Sequence, residues 1–327
     1  MRYVRRKLLF YLVAVWAAVT LNFFIPRLAK GDPVSSFLAR TQNMTPISSD
    51  ARKALELQFG VSHDPLWVQY WHYLVNLAHG NLGLSLTYYP TPVTTVLRQT
   101  LPWTVIMVGT ATLIAVALGL TLGMLAGWKR GTWLDGLIPA TTFLAAIPYF
   151  WLALVLLFVL GENLKWFPLN SGYDFDTDIG WNGPFLASAV QHAILPAGSI
   201  VIASIAGWML GMRNMMVSTM AEDYVVTAEA KGLRPRRIML HYAARNAVLP
   251  SVAGFAVALG FVVSGALATE IVFSYPGIGT QLLKAVEGAD YQLMQGIFLV
   301  IALSVLGANF LVDALYAVID PRTRQSG

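Results

Sequence analysis

The chain has 327 residues, of which 56% are hydrophobic and only 12% charged, with a formal net charge of +5 and no cysteine. Soluble domains are about one-quarter charged, so this composition belongs in a bilayer. The missing cysteine excludes a disulfide framework, a thiolate metal site and a cysteine nucleophile, and a zinc site would have to come from five histidines plus carboxylates.

In chain order, six stretches reach the roughly 20 apolar residues needed to cross a core about 30 Å thick. They are residues 8–26, 103–128, 137–160, 194–212, 251–269 and 293–312, and none holds Asp, Glu, Lys or Arg. In lipid, only a helix satisfies every backbone group of such a run. The first is preceded by Arg2, Arg5, Arg6 and Lys7. It is longer than a signal-peptide core and lacks a cleavage site, so it reads as a retained span.

With a cytoplasmic N-terminus, fourteen of the 22 Lys and Arg fall on inner segments, which gives +9 inside and −2 outside. The positive-inside rule therefore places both termini in the cytoplasm. The +5 is then a remainder of topology rather than a nucleic-acid footprint.

The chain divides into a cytoplasmic N-terminus with the first span (1–27), an extracytoplasmic helical cap (28–102), and a five-helix core (103–327) with an inner loop at 213–250. The cap carries Ser48, Ser49 and Asp50 ahead of a helix at 51–59, then the aromatics Trp67, Tyr70, Trp71 and Tyr73. A second outer loop, 162–191, holds Asp174, Asp176 and Asp178 without the glycine and closing Glu of a calcium loop, and reads as a solvated acidic loop. A third outer loop covers 273–292.

Within the spans, Gly207, Gly211, Gly260, Ser264 and Gly265 offer close-packing surfaces, for sliding or for static packing. Pro139 and Pro148 are expected to kink the third span. Tyr149, Phe150 and Trp151 could line a path or simply pack. Glu270 and Asp313, at span ends, read as interface anchors or interhelix hydrogen-bonding groups.

The inner loop is the most informative segment. Ser218 or Thr219 is expected to cap a short helix, with Glu222 and Asp223 at its anion-favouring end. The helix runs through Tyr224, Val225, Ala228 and Ala230 to Gly232, the left-handed residue that stops it. Pro235 suits the first turn of a second helix, 236–248, which ends before Pro250. Arg234, Arg236 and Arg237 can meet acidic groups or lipid headgroups, so the segment reads as a docking surface for a partner or as a membrane-surface seat.

These residues have a family likeness. Asp223-Tyr224, Thr227-Ala228, Ala230-Lys231-Gly232-Leu233, Arg236-Arg237 and Arg245-Asn246, ending at Leu249-Pro250, resemble the EAA loop of ABC-importer permeases, in the form found in the dipeptide, oligopeptide and nickel permeases. Arg27-Leu28 with Gly31-Asp32-Pro33, residues 80–84, Trp166-Phe167-Pro168, residues 273–279, Asp290-Tyr291, residues 313–316 and Asp320-Pro321-Arg322 are similar to that family as well. The interval from Gly232 to Leu249-Pro250 is longer than in sugar-type permeases, and Val226-Thr227-Ala228 stands where Glu-Ala-Ala would. Both departures resemble the peptide and nickel branch.

The resemblance implies an all-α polytopic permease whose coupling helix, 222–232, seats in a partner ATPase. Glu222, Asp223, Tyr224, Thr227, Ala228, Ala230, Lys231, Gly232 and Arg236 would carry that coupling, moving the adjoining fourth and fifth spans. The implied partners are a second homologous permease, ATP-binding subunits, an extracytoplasmic substrate-binding protein and the lipid bilayer, with no nucleic acid. The chain itself has no Gly-x-x-x-x-Gly-Lys-Ser/Thr loop, so ATP and magnesium would be handled by partner subunits, and no catalytic residue, metal or cofactor is expected here.

Two rival readings carry less. A proton-coupled carrier would want charges inside the spans or inverted repeats. An intramembrane enzyme would want His-Glu-x-x-His or Gly-x-Ser-x-Gly, and the five histidines are scattered. Short peptides are the expected substrate, with oligosaccharides and nickel chelates as alternatives and the pathway residues unassigned.

Overall fold

The computed structural model describes residues 2–28, 34–35, 48–58, 64–129, 146–263 and 266–319, with isolated residues between 131 and 143. Among the described residues every extended element is helical, the exception being one isolated bridge between Leu84 and Pro92. Two compact units are formed, Met1–Thr104 with Pro276–Gly327, and Val105–Tyr275.

In the first unit, α1 (Arg2–Leu28) lies antiparallel to α12 (Tyr291–Ile319). Lys7 pairs with Asp313 at one end of the two helices, and Asn22 donates to the Gln295 carbonyl at 2.8 Å toward the other. Tyr11 donates to Asp313 at 2.7 Å and stacks edge-on against Phe310. Asp313 is thus an interhelix hydrogen-bonding group, and Arg2 and Ile319 lie at the same end of this pair. Two short helices, α2 (Ser49–Gln58) and α3 (Leu66–Ala78), lie where capping residues and aromatics pointed to them.

Residues 80–92 form a loop tied to the start of α12. Asp290 is fully buried and accepts from the Ser85 hydroxyl at 2.5 Å, the Thr87 N–H at 2.9 Å and the Leu293 N–H at 3.0 Å. It thereby caps α12 and fastens a loop some 200 residues earlier in one step. Tyr88 donates to Gln281 at 2.6 Å on α11 (Ile278–Glu287), whose first N–H reaches Thr104 at 2.9 Å.

Among the described residues four helices are long and apolar enough to cross a membrane. They are Arg6–Ile25 within α1, α4 (Val93–Trp128), α6 (Gly183–Thr219) and Tyr291–Leu311 within α12. The other two expected spans are not covered by one continuous helix among the described residues. Of 137–160, the described part is α5 (Tyr149–Asn163), entered through Pro148 in an extended conformation, so this proline begins a helix rather than kinking one. Of 251–269, α9 (Leu249–Phe261) stops short and α10 (Leu267–Val272) follows, with Ser264 and Gly265 outside the described residues. The helix α8 (Pro235–Ala247) meets α9 at a 49° bend, and the two together make a fifth candidate span. Gly31-Asp32-Pro33, Asp320-Pro321-Arg322 and much of 137–148 also lie outside the described residues.

In the second unit, α4 and α6 pack through a glycine stripe. A Cβ at Gly119 would sit 2.5 Å from the Trp208 Cβ, one at Gly123 would sit 2.3 Å from the Met209 carbonyl oxygen, and one at Gly127 2.5 Å from the Met216 Cβ. A spacing of four places all three on one helix face, and backbones approach this closely only without side chains. Gly207 and Gly211, expected to provide such surfaces, meet nothing within 4 Å. In the 162–191 segment of this unit, Ser188 bonds Asp174 at 2.7 Å, which ties part of the acidic loop to α6.

Candidate coupling site

The 213–250 segment sits on the end of α6, and α6 continues through Thr219. The expected caps Ser218 and Thr219 therefore belong to the preceding helix. Ser218 bonds back to the Asn214 carbonyl at 3.2 Å, which spends its hydroxyl inside α6. A tight turn follows, with the Glu222 N–H on the Thr219 carbonyl at 3.1 Å. Glu222 is extended, and α7 (Asp223–Ala230) begins after it with Asp223 in its first turn.

The end of α7 is a Schellman motif. The Gly232 N–H reaches the Glu229 carbonyl at 2.8 Å and the Leu233 N–H reaches the Ala228 carbonyl at 3.3 Å. Gly232 has φ +68 and open space around its Cα, so its need is conformational and not steric. Arg234 is extended, as the residue before a proline must be, and Pro235 opens α8. Residues Ile238–Ala244 of α8 form a π-helical turn, a wide spiral that re-aims the residues after it.

One face of α7 is held by its own chain. Val225 and Ala228 are buried with Ile238, against Trp128, Met220, Leu233 and Tyr242. Next to them Ala243, Ala244 and Ala247 of α8 pack on Met212 and Met216 of α6, with Leu120, Met124 and Trp128 of α4 closing the cluster. The elbow is therefore seated on the ends of α4 and α6.

The opposite face is open. Glu222, Asp223, Tyr224, Thr227, Ala230, Lys231, Gly232 and Arg236 are all exposed, and of the nine sequence-selected residues only Ala228 is buried. Beside them lies a groove of about 650 Å³ lined by Gly232, Leu233, Arg234, Arg236, Arg237 and His241. Among the described residues no carboxylate lies within ion-pair distance of Arg234, Arg236 or Arg237. The sequence missed the seat, Trp128 with Ile238 and Tyr242. Alternate apolar residues at 225 and 228, one helical turn apart, were the available signal.

Elsewhere, Tyr149, Phe150 and Trp151 open α5 and are exposed rather than gathered at a site. Glu270 is fully buried on α10. Burial and the charge of Glu270 push the Tyr275 hydroxyl well above its ordinary value, so it stays protonated. Among the described residues no group of three or more His, Asp or Glu is placed to hold a metal ion.

The sequence matches those of known permeases. Residues 119–325 match the family described as binding-protein-dependent transport system inner membrane component. The chain is 34% identical to the di/tripeptide transport system permease protein DppB of Pseudomonas aeruginosa and 30% identical to the oligopeptide transport system permease protein AppB of Bacillus subtilis, with 98% of each chain covered in both comparisons. It is 32% identical to the dipeptide transport system permease protein DppB of Escherichia coli K12, over 93% of each chain. A helix-glycine-helix elbow seated on apolar helices, together with similarity along nearly the whole length, leads to one conclusion: the chain belongs to the binding-protein-dependent transport inner membrane component family.

Proposed function

We propose that this chain is the transmembrane permease subunit of an ATP-driven importer that moves di- and oligopeptides across the cytoplasmic membrane, with both termini inside and six spans. The peptide assignment is supported by the relatives' names. The coupling assignment is supported by one observation: α7 is locked along Val225 and Ala228 while its acidic and small residues remain exposed. That is the geometry of a helix able to take a push and pass it on. Partner ATPases bind and hydrolyse ATP with magnesium. A second homologous permease completes the pathway, and an extracytoplasmic binding protein delivers substrate.

In this reading ATPase closure displaces α7. The Schellman turn and the cluster of Val225, Ala228 and Ile238 carry the displacement to α8, and the alanine and methionine cluster carries it to α6 and α4. Alternation of access follows only if these packings differ between two states. The experiment is substrate-stimulated ATPase in the assembled transporter carrying Gly232→Trp or Glu222→Lys. Both variants are expected to uncouple hydrolysis from substrate, and unchanged stimulation would remove the coupling role from α7. A partner binding protein that retained sugars and not peptides would overturn the substrate assignment.

A further inference from the structure

Helix α3 (Leu66–Ala78) has three stripes. One holds Gln69, Tyr70 and Tyr73 and faces α1. Thr20 and Tyr70 share a hydroxyl hydrogen bond of 2.7 Å, Asn22 donates to Tyr73 at 3.4 Å, and the Phe23 ring lies 5.2 Å from that of Tyr70 and 5.5 Å from that of Tyr73. A second, polar stripe holds His72 and Asn76. The third holds Trp67, Trp71 and Val75, spaced four apart, and its indoles are 74% and 65% exposed.

The level of α3 along α1 decides what the third stripe meets. The apolar span of α1 stops at Ile25. Thr20 and Asn22 lie about 4–8 Å inside that limit at 1.5 Å per residue. The other end of α3 is tied to the same level. Five residues past Ala78, Gly83 abuts Gln292, the second residue of α12, so closely that a Cβ would stand 2.3 Å from the Gln292 amide oxygen. Asn22 in turn bonds Gln295. A 13-residue helix is about 20 Å long and cannot stand upright with both ends at one boundary. It lies in the plane of that boundary.

At the same level α1 exposes Leu21, Phe24 and Ile25, so the tryptophan stripe continues an apolar surface that the bilayer already covers. Helices with a polar stripe and an apolar one, set at this depth, sink their apolar face about 5–10 Å into the boundary between headgroups and acyl chains. Tryptophan is the residue enriched there, since its ring is apolar and its N–H stays within reach of water. We propose that α3 is an interfacial helix whose Trp67, Trp71 and Val75 stripe is seated in the lipid leaflet opposite the Lys7–Asp313 end of α1 and α12. It rests on the membrane reading of α1 and not on the substrate or coupling assignments.

The absence of native cysteine makes the test direct. The full chain carrying Trp67→Cys, Trp71→Cys or Asn76→Cys is spin-labelled in lipid nanodiscs, and collision with oxygen is compared with collision with a water-soluble nickel chelate. The oxygen-to-nickel ratio is expected to be severalfold higher at 67 and 71 than at 76. As a second measurement, brominated lipid should quench a smaller share of emission in the Trp67→Phe/Trp71→Phe double variant than in the unaltered chain. Equal ratios at all three positions would overturn the proposal. So would labels at 67 and 71 that stay water-accessible in lipid and become shielded only when the remaining subunits assemble, which would assign the stripe to a protein partner.

Discussion

The knot at Asp290 and the elbow at Gly232 are both short turns rich in polar groups, and both contain a glycine in the left-handed region, Gly83 at φ +83 and Gly232 at φ +68. They use polar chemistry in opposite ways. At the knot the carboxylate is buried, and its hydrogen bonds are spent on a hydroxyl and two N–H groups of its own chain. At the elbow the turn closes its own backbone bonds, and Glu222, Asp223, Lys231 and the arginines stay on the surface. A buried and satisfied polar group fixes a unique arrangement, whereas an exposed charge on a satisfied backbone remains free to meet another molecule.

Asp290→Ala should break this contrast most severely. It strands three donors in a closed site, and unsatisfied buried groups cost about 1–3 kcal/mol each before relaxation. A net loss of about 3–4 kcal/mol is expected, read as a lowered thermal midpoint of tryptophan emission in detergent. Glu222→Lys, on the open face, should leave the same midpoint within about 0.5 kcal/mol of the unaltered chain. Equal effects from the two would erase the distinction between knot and elbow.

The elbow is only as stationary as the helix pair beneath it. Gly123→Val would drive a branched side chain into the Met209 backbone, an obstacle that cannot swing aside. Overpacking of this kind costs about 1–3 kcal/mol. Gly211→Ala, where nothing lies within 4 Å, is the matched control and should be near neutral.

The sequence carried the local parts of both regions and little of what joins them. Gly232 and Pro235 were legible because a left-handed stop and a proline start are backbone requirements of single residues. The boundary does not fall at Ser218 and Thr219, since a hydroxyl inside a helix can bond back to its own turn, and sequence does not say which carbonyl it will choose. The stripe Gly119, Gly123 and Gly127 has the same spacing of four as Gly207 and Gly211, and composition alone does not say which small face finds a partner. Asp290 stood at a recognisable capping position three residues before Leu293. Its partners Ser85 and Thr87 lie too far along the chain for any local pattern to name them.

The two left-handed glycines sharpen the comparison at smaller cost. Any L-residue at φ near +70 is strained by about 1–2 kcal/mol. Gly232→Ala should therefore lose about that much and no more, because its surroundings are open. Gly83→Ala carries the same strain and must also displace the Gln292 amide, so its thermal midpoint should fall further. If Gly232→Ala proved the more damaging of the two, the elbow would be held by contacts at Gly232 rather than by its backbone turn.

The smallest effect belongs to Asp313, which stands between the two regimes. Its side chain is 30% exposed and that of its partner Lys7 is 35% exposed. Burial works to raise its carboxyl, but the bonds from Lys7 and Tyr11 outweigh burial and hold it below the usual carboxylate value. A carboxylate with a depressed folded value adds stability above its unfolded value of about 3.9, and that stability is lost as pH falls through the folded one. Solvent screening at this exposure keeps the contribution under about 1 kcal/mol. Asp313→Asn should therefore lower the midpoint slightly at neutral pH and flatten the acid limb of the midpoint's pH profile. Lys7→Met should do much the same, and the double variant should lose little more than either single one, since both remove one pair. An acid limb that Asp313→Asn left unchanged would show that the α1–α12 pair is held by its apolar face and the Asn22–Gln295 bonds alone.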